Sequence, residues 1–210
     1  MKAIALCENL NKAVRLMESL DAVRGADVIY LVARPERQTV AAFRLLQARI
    51  AAKLVLKDRL PPARWLPGGR VRITASPLHS PRTINWIKSM RADAGLHASG
   101  CIYRKPLLDA FRLGVLNPHI GLLPDYRGRS VMEWTLLYGD DTGITTFFMD
   151  EGIDTGEEIV LREKIDVSRF DNTESAKEYL FSLDGEMYAR ALERLASPGY
   201  EPMRQRKYEG

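Results

Sequence analysis

The stretch KAIALC, residues 2–7, begins the pattern that decides the fold. It is a short apolar run that ends in polar residues, which is typical of a buried strand. Apolar residues then recur at helical spacing, at Leu10, Ala13, Met17 and Leu20. The run ADVIYLVA, residues 26–33, is rich in β-branched and aromatic residues and is closed by Pro35, which predicts a second strand. The chain therefore begins with a strand, a helix and a strand.

The same alternation continues outward to about residue 117. A second helix is marked by Phe43, Leu46, Ile50 and Leu54, and the Pro- and Gly-rich segment 59–70 predicts a connection. Further strands are expected at 71–75, 94–100 and 114–117, with helical segments at 81–90 and 105–113. Repeated strand–helix units with short connections predict an α/β fold. In it, a mostly parallel sheet is covered by helices on both faces, a three-layer αβα architecture.

The second half of the chain follows a different pattern. Residues 143–150 and 157–165 are strand-like, and the turn-rich EGIDTG lies between them. Asp171 and Glu174 form a plausible capping box for a C-terminal helix. The apolar face of that helix is given by Ala176, Leu180, Leu183, Met187, Ala191 and Leu195. Gly185 interrupts the pattern and weighs against one continuous helix.

Composition and charge limit the function. The chain has 210 residues, 46% of them hydrophobic and 28% charged, which suits one compact domain. The net charge is +4 and the charges are interspersed, whereas a nucleic-acid binder more often shows a dense basic cluster. Cys7 and Cys101 have no metal or disulfide spacing and are expected to be buried free thiols. Because MKAIALCENL shows no secretory signal and no stretch approaches the roughly 20 apolar residues that span a bilayer, we expect a cytoplasmic protein.

The stretch NPHIGLLPDYRG, residues 117–128, carries two candidate catalytic residues. Asn117 ends a predicted strand, and ligands in open α/β sheets bind outside the carboxyl ends of the strands. Pro118 fixes its own φ and restricts Asn117 to an extended backbone, which stiffens the arrangement of Asn117 and His119. An Asn amide can donate to an oxyanion, and an imidazole can shuttle a proton near neutral pH.

This pair lacks a carboxylate that would orient the imidazole. Asp154, in the Gly-flanked turn of DEGIDTG, is the best candidate. Four other residues compete with it on composition alone: Asp125, Asp140, Asp141 and Asp150. Taken by themselves, an Asn and a His two apart are more often structural than catalytic. Since no Ser or Cys stands in a nucleophile elbow and no HxxxH pattern indicates zinc, direct transfer between two bound substrates is the class that remains.

Three motifs in order resemble the signature of the folate-dependent formyltransferase family: LNPHIGLLPDYRG, EWTLLYGDDTGIT and MDEGIDTGEEIV. That family includes glycinamide ribonucleotide transformylase, methionyl-tRNA formyltransferase and the sugar N-formyltransferases. The resemblance is strongest over residues 113–160, and before about residue 90 only the β/α rhythm agrees. It implies a Rossmann-like formyltransferase fold, with 10-formyltetrahydrofolate as the formyl-donor co-substrate and no metal.

By position, the resemblance implies that Asn117, His119 and Asp154 are catalytic. It also implies that the pterin of the donor lies against two stretches, which contain Gly100, Cys101, Ile102 and Tyr103, and Met149, Asp150, Glu151 and Gly152. Tyr126 and Arg127 are candidates for binding an anionic acceptor, with a structural role for Arg127 in bracing its loop as an equal alternative. His79 and His97 are expected to be structural, and Trp134 to pack in the core.

Two departures from the family narrow the acceptor. The stretch CENLNKA after the first strand has no glycine that would bring backbone N–H groups close to a phosphate, which disfavours glycinamide ribonucleotide. After residue 165 we expect one helix and a short tail rather than the barrel domain of methionyl-tRNA formyltransferase, which disfavours tRNA. We therefore expect a small-molecule amine, such as an amino sugar or amino acid derivative, and neither nucleic acid nor membrane as a partner. The sequence is also compatible with a homodimer.

The expected organisation is a single formyltransferase-like catalytic domain over residues 1–210. It would comprise a diverged β/α half (1–90), a donor-binding and catalytic half (91–165) and a C-terminal helix and tail (166–210). The leading hypothesis is an N-formyltransferase. One alternative is hydrolysis of the formyl donor or a related one-carbon transfer, and the other is a non-catalytic folate- or metabolite-binding protein on the same fold.

Overall fold

The computed structural model describes residues 1–35, 38–56 and 70–205. It divides into two compact units, Met1–Gly114 and Val115–Gly210. The connection predicted over 59–70 lies outside the described residues except for Arg70. Within the described ranges, no helix is long and apolar enough to cross a membrane.

The first unit alternates strands and helices along the chain. Its elements are β1 (Lys2–Cys7), α1 (Leu10–Leu20), β2 (Asp27–Arg34), α2 (Val40–Leu56), β3 (Val71–Pro77), α3 (Pro81–Met90), β4 (Ala94–Ala98) and α4 (Lys105–Leu108). The strands lie in the order β3-β2-β1-β4. The pairs β1–β2, β1–β4 and β2–β3 are all parallel, so the predicted α/β fold with a parallel sheet is confirmed.

Burial explains why β1 is a continuous apolar run. Residues 3–6 are fully buried at the centre of the parallel strands, as expected where both faces of a sheet are covered. Asn9 caps α1 by accepting a hydrogen bond from the backbone N–H of Lys12 at 3.0 Å. In α2 the predicted apolar face is partly wrong, because Leu46 is exposed while Gln47 is buried. Gln47 accepts a hydrogen bond from the backbone N–H of Leu10 at 3.1 Å, which satisfies the buried amide oxygen.

The second unit is built on antiparallel strands. Its elements are β5 (Gly114–His119), α5 (Val131–Tyr138), β6 (Gly143–Phe148), β7 (Glu158–Lys164), α6 (Thr173–Ser182), α7 (Asp184–Ala196) and β8 (Met203–Arg204). The strands lie in the order β5-β6-β7-β8, and each neighbouring pair is antiparallel. All six residues of β6 are buried. Tyr188 of α7 donates a hydrogen bond to the carbonyl of Leu116 at 3.3 Å, which ties this helix to β5.

The C-terminal helix differs from the prediction. The predicted capping box with Asp171 is wrong, because Asn172 is the N-cap and accepts from the backbone N–H of Ser175 at 2.9 Å. The interruption expected from Gly185 is confirmed, because the helix is divided at Leu183 into α6 and α7 and Gly185 lies in the first turn of α7. The short strand β8 was not predicted, because two residues carry no periodicity.

Two burial predictions are wrong. Cys7 is buried as expected, but Cys101 is exposed. Trp134 was expected in the core but is 50% exposed. The helix α5 has only eight residues and buries Val131, Met132 and Thr135, so Trp134 lies outside its buried side and stacks on Tyr138.

Candidate functional site

The strands β5 and β6 carry the first two candidate residues. Asn117 pairs with Phe147, and His119 pairs with Thr145. Residues directly opposite in an antiparallel pair share a face of the sheet, so Asn117 and His119 lie on one face of this unit. The Thr145 hydroxyl donates to the carbonyl of Gly121 at 2.7 Å and accepts from the N–H of Leu123 at 3.1 Å. The loop that follows His119 is thereby tied to the strand beside it.

His119 is held at both ring nitrogens. Its side chain is 8% exposed. Nε2 lies 2.9 Å from the carbonyl oxygen of Tyr126, and Nδ1 lies 3.4 Å from Oδ2 of Asp154. The second distance is that of an ion pair rather than of a short hydrogen bond. Because both neighbours are acceptors, the ring can satisfy both only when each nitrogen carries a hydrogen.

Gly121 makes room for this arrangement. A Cβ atom at position 121 would lie 2.5 Å from Nε2 of His119 and 2.7 Å from the carbonyl oxygen of Tyr126. Both distances are far below van der Waals contact, so any side chain there would displace the imidazole or the loop. The Gly121 position therefore permits the bond between His119 and the Tyr126 carbonyl.

Asp154 is fixed through its backbone as well as its side chain. The Oδ2 atom that faces His119 also accepts a hydrogen bond from the N–H of Gly128 at 2.9 Å. The Asp154 carbonyl accepts from Nε of Arg127 at 3.2 Å and from Nε2 of Gln205 at 3.3 Å. The residue has φ = +55°, a left-handed conformation that costs a residue other than glycine about 1–2 kcal/mol and that Asp tolerates better than most.

The competing aspartates have other partners. Asp150 accepts from the N–H of Gly152 and from the hydroxyl of Thr155, which shapes the turn before Asp154. The other three pair with side chains elsewhere: Asp125 with Arg162, Asp140 with Tyr126, and Asp141 with Lys164. Of the five aspartates considered, the structure brings Asp154 to the imidazole.

The side chains of Tyr126 and Arg127 both form hydrogen bonds with other residues of the chain. The Tyr126 hydroxyl donates to the carboxylate of Asp140, and this hydrogen bond raises the pKa of Tyr126 to about 12. Besides its bond to the Asp154 carbonyl, the Arg127 guanidinium donates to Oε1 of Gln205 at 3.0 Å. These contacts are those of a residue that braces its loop, while anion binding by either side chain stays a prediction.

One of the two predicted donor-binding stretches lies in the first unit. Gly100, Cys101 and Ile102 line a cavity of about 490 Å³ there, together with Glu8 and Arg104 among others. Ile102 is 79% exposed. The neighbouring Tyr103 is buried, and its hydroxyl lies 2.9 Å from the Ser99 hydroxyl; burial holds the pKa of Tyr103 well above its usual value. The rings of His97 and His79 lie edge-on to the Tyr103 ring. His79 also lines the cavity, so the structural role expected for these two residues stays a prediction.

The other predicted donor-binding stretch lies in the second unit, directly before Asp154. Met149 packs on a buried cluster of Leu123, Phe147 and Ile159. Ile153 is 70% exposed. Ile102 in the first stretch and Ile153 in this segment are both exposed aliphatic side chains, and binding of the pterin at either stretch stays a prediction. Within the described ranges, no group of three or more His, Cys, Asp or Glu side chains is placed to hold a metal ion.

Two residues of this network were missed by the sequence reasoning. Gly128 was part of the quoted motif, but nothing in the sequence indicated that its N–H binds Asp154. Gln205 lies in a tail without apolar periodicity, 51 residues from Asp154 along the chain, so no local signal could have found it.

Comparisons with known proteins identify the family of the chain. A family model described as "Formyl transferase" matches residues 2–192. A methionyl-tRNA formyltransferase of Citrifermentans bemidjiense is 31% identical over 184 residues, which are 87% of this chain and 54% of that protein. The chain thus spans about half the length of the curated relatives it matches.

Solved structures share the fold at low identity. Glycinamide ribonucleotide transformylase 1 from Symbiobacterium toebii has a TM-score of 0.64 at 20% identity, covering 98% of this chain and 94% of that one. A formyltransferase from Anoxybacillus kamchatkensis, solved in complex with UDP-4,6-dideoxy-4-formamido-L-AltNAc and tetrahydrofolate, has a TM-score of 0.56 at 15% identity. That match covers 99% of this chain and 82% of the other.

Proposed function

Because the chain belongs to the formyl transferase family, we propose that it moves a formyl group from 10-formyltetrahydrofolate to the amine of a small molecule. The observation that carries the proposal is the contact between His119 and Asp154. An imidazole nitrogen lies 3.4 Å from a carboxylate oxygen, both side chains are largely buried, and Asn117 lies on the same face of the strands as His119. A buried pair of this kind is suited to moving a proton during transfer.

In the proposed reaction, the acceptor nitrogen attacks the formyl carbon of the donor. A carbon–nitrogen bond forms, and the carbonyl electron pair moves onto oxygen to give a tetrahedral oxyanion. The bond between the formyl carbon and N10 of the folate then breaks, and the amine loses a proton while N10 gains one. The products are a formamide and tetrahydrofolate, so that atoms and charges balance.

Each residue of the proposed site has a distinct role in this reaction. The Asn117 amide donates to the oxyanion, and protonated His119 adds a positive charge beside it. Asp154 holds the imidazole and assists the proton transfer, directly or through water. Loss of one oxyanion donor in comparable sites raises the barrier by about 2.7–4 kcal/mol. The Tyr126 carbonyl competes for the same imidazole, so an N–H of His119 must leave it before that N–H can bind substrate.

The end of β1 supports an acceptor without a phosphate at that position. Asn9 caps α1 with its own side chain, so one of the N–H groups that a phosphate would use is already bonded. Glu8 precedes this cap and adds a negative charge that repels an anion. An uncharged or polyhydroxylated amine fits this stretch better than a ribonucleotide. Methionyl-tRNA, the substrate named for the curated relatives, is the competing acceptor.

The test begins with the donor. At 100 times its Kd, 5-formyltetrahydrofolate should stabilise the protein by about 2.7 kcal/mol, measured as a shift in thermal unfolding. Release of tetrahydrofolate from the 10-formyl donor is then followed with a panel of amino sugars, amino acids and methionyl-tRNA. Release that requires a small amine supports the proposal. Release without any amine would identify a hydrolase, and binding without release a non-catalytic protein.

A further inference from the structure

Gln205, directly after β8, is a buried polar residue, and both the oxygen and the nitrogen of its side-chain amide form hydrogen bonds. It is 6% exposed. Its Oε1 accepts from the Arg127 guanidinium at 3.0 Å, and its Nε2 donates to the carbonyls of Asp154 and Gly156. Its backbone N–H donates to the carbonyl of Glu157 at 2.9 Å, which extends the pairing of β8 with β7. Each side-chain bond therefore reaches the loops that flank the pair of His119 and Asp154.

These bonds converge on the backbone of Asp154. Its carbonyl has two donors, Arg127 and Gln205, and Gln205 also binds Arg127. The three residues form a closed ring of hydrogen bonds around a peptide group next to a left-handed φ. A residue in that conformation keeps it only where its surroundings hold it. This backbone conformation limits the rotamers open to the Asp154 side chain, and the N–H of Gly128 holds its carboxylate further.

We propose that Gln205 is a positioning residue, which holds the loop of Asp154 so that its carboxylate faces His119. This inference rests on the proposed function insofar as Asp154 takes part in formyl transfer. Gln205 touches neither the imidazole nor the carboxylate and acts through the Asp154 and Gly156 carbonyls and through Arg127. The C-terminal segment thereby becomes part of the catalytic apparatus, although it lies far from the motifs in sequence.

A purely structural role would have different consequences. If Gln205 only anchored β8, its loss would lower the stability of the unit and leave the site of the surviving folded molecules unchanged. If it positions Asp154, its loss should change the site while the fold persists. The N–H of Gly128 reports on this directly, because it donates to the carboxylate of Asp154. Its hydrogen exchange measures how well that carboxylate is held, and it requires no catalytic activity.

The experiment compares two variants with a matched control. Gln205→Met keeps the size of the side chain and removes all of the side-chain hydrogen bonds, whereas Gln205→Glu keeps an acceptor for Arg127 and removes both side-chain N–H donors. Met203→Ala is the control, because Met203 lies on the same short strand and is 41% exposed. The readouts are Gly128 amide exchange by NMR, and kcat and acceptor KM from tetrahydrofolate release.

We expect both Gln205 variants to speed exchange at Gly128 and to lower kcat by about tenfold or more, with acceptor KM changed by less than about threefold. Met203→Ala should match the wild type. Unchanged Gly128 exchange in both variants, or global unfolding of both, would overturn the positioning role. If the wild type itself transfers no formyl group, the proposed function fails, while the exchange measurement still decides whether Gln205 positions Asp154.

Discussion

The strand β1 of the first unit and the strand β5 of the second unit end in different ways. In the first unit, β1 passes through buried Cys7 into α1, and one side chain, Asn9, caps the helix. In the second unit, β5 ends at His119 and leads into a loop without regular structure up to residue 130. That loop is held by side-chain hydrogen bonds: Thr145 and Asp154 bind its backbone, and Gln205 binds the side chain of Arg127.

This difference shows which of the two strand ends depends on exact atomic positions. Apolar burial stabilises the end of β1 and tolerates small displacements, because it is not directional. At the end of β5, buried polar groups must each find a partner, and a group left without one costs about 1–3 kcal/mol. The same kind of substitution should therefore be mild in the first unit and severe in the second. Four measurements can sharpen or break this contrast.

The largest effect is expected at His119. His119→Ala should lower kcat by about 10²–10⁴-fold, because it removes both the charge beside the oxyanion and the proton carrier. His97→Ala in the first unit should lose less than about tenfold, since the ring of His97 packs against buried Tyr103. Tetrahydrofolate release measures the rates, and circular dichroism checks the fold. Equal losses in the two variants would contradict the contrast.

Thiol reactivity should separate Cys7 from Cys101. Burial raises the pKa of Cys7 to about 12, so at pH 8 only about 10⁻⁴ of this thiol is the reactive thiolate. Cys101 is exposed and should be alkylated first. We expect a rate difference of about 100-fold or more, followed by mass spectrometry of iodoacetamide adducts. Labelling of Cys7 at the rate of Cys101 would show that the end of β1 opens readily.

Glycine substitutions compare the loops of the two units. Gly121→Ala should destabilise the protein by about 1–3 kcal/mol, because its Cβ would overlap His119 and the Tyr126 carbonyl. In the first unit, a Cβ at Gly100 would meet Oε2 of Glu8 at 3.6 Å, an ordinary contact. Gly100→Ala should thus change stability by no more than about 0.5 kcal/mol. Urea unfolding measures both, and a tolerated Gly121→Ala would mean that the loop after His119 adjusts freely.

The smallest effect is expected for the titration of Tyr126. Asp140→Asn removes the acceptor charge and should lower the pKa of Tyr126 from about 12 toward 10.0, as seen by ultraviolet absorbance. Since the pKa is raised in the folded state, the bond stabilises the fold below about pH 10 and is lost as the pH rises through about 12. If the pKa of Tyr126 were the same in the wild type and in Asp140→Asn, the hydrogen bond between Tyr126 and Asp140 would not form in solution.

Features of the fold and the site could be predicted from the sequence where they depend on residues close together in the chain. The strand–helix alternation up to β4 was predicted because burial on both faces leaves continuous apolar runs. The choice of Asp154 over Asp125, Asp140, Asp141 and Asp150 came from its Gly-flanked turn and then from the family resemblance, since composition does not separate these residues. The prediction that Trp134 packs in the core was wrong. The helix α5 has only eight residues, and Trp134 lies outside the side of this helix that is buried.

Two further features were not predicted, one because adjacent residues are equally suitable and the other because the contact joins residues far apart in the chain. Asp171 and Asn172 are both good N-caps, and the local sequence does not decide between them. Gln205 could not be predicted, because its role depends on carbonyls about 50 residues earlier in the chain. Every residue type has a backbone carbonyl, so the identity of the residue that accepts such a hydrogen bond gives no sign of it in the sequence. The sequence thus supplied the motifs of the candidate site, whose catalytic role stays a prediction, but it did not supply the hydrogen bonds that hold those motifs in place.

The central claim is that His119 and Asp154 act as one unit, and a double-mutant cycle tests it directly. The kcat of formyl transfer is measured for the wild type, His119→Ala, Asp154→Asn and the double variant. If the carboxylate acts through the imidazole, removal of Asp154 should cost little more once His119 is gone, and the double variant should match His119→Ala. Losses that simply multiply would mean that the two residues act independently, despite the 3.4 Å between them.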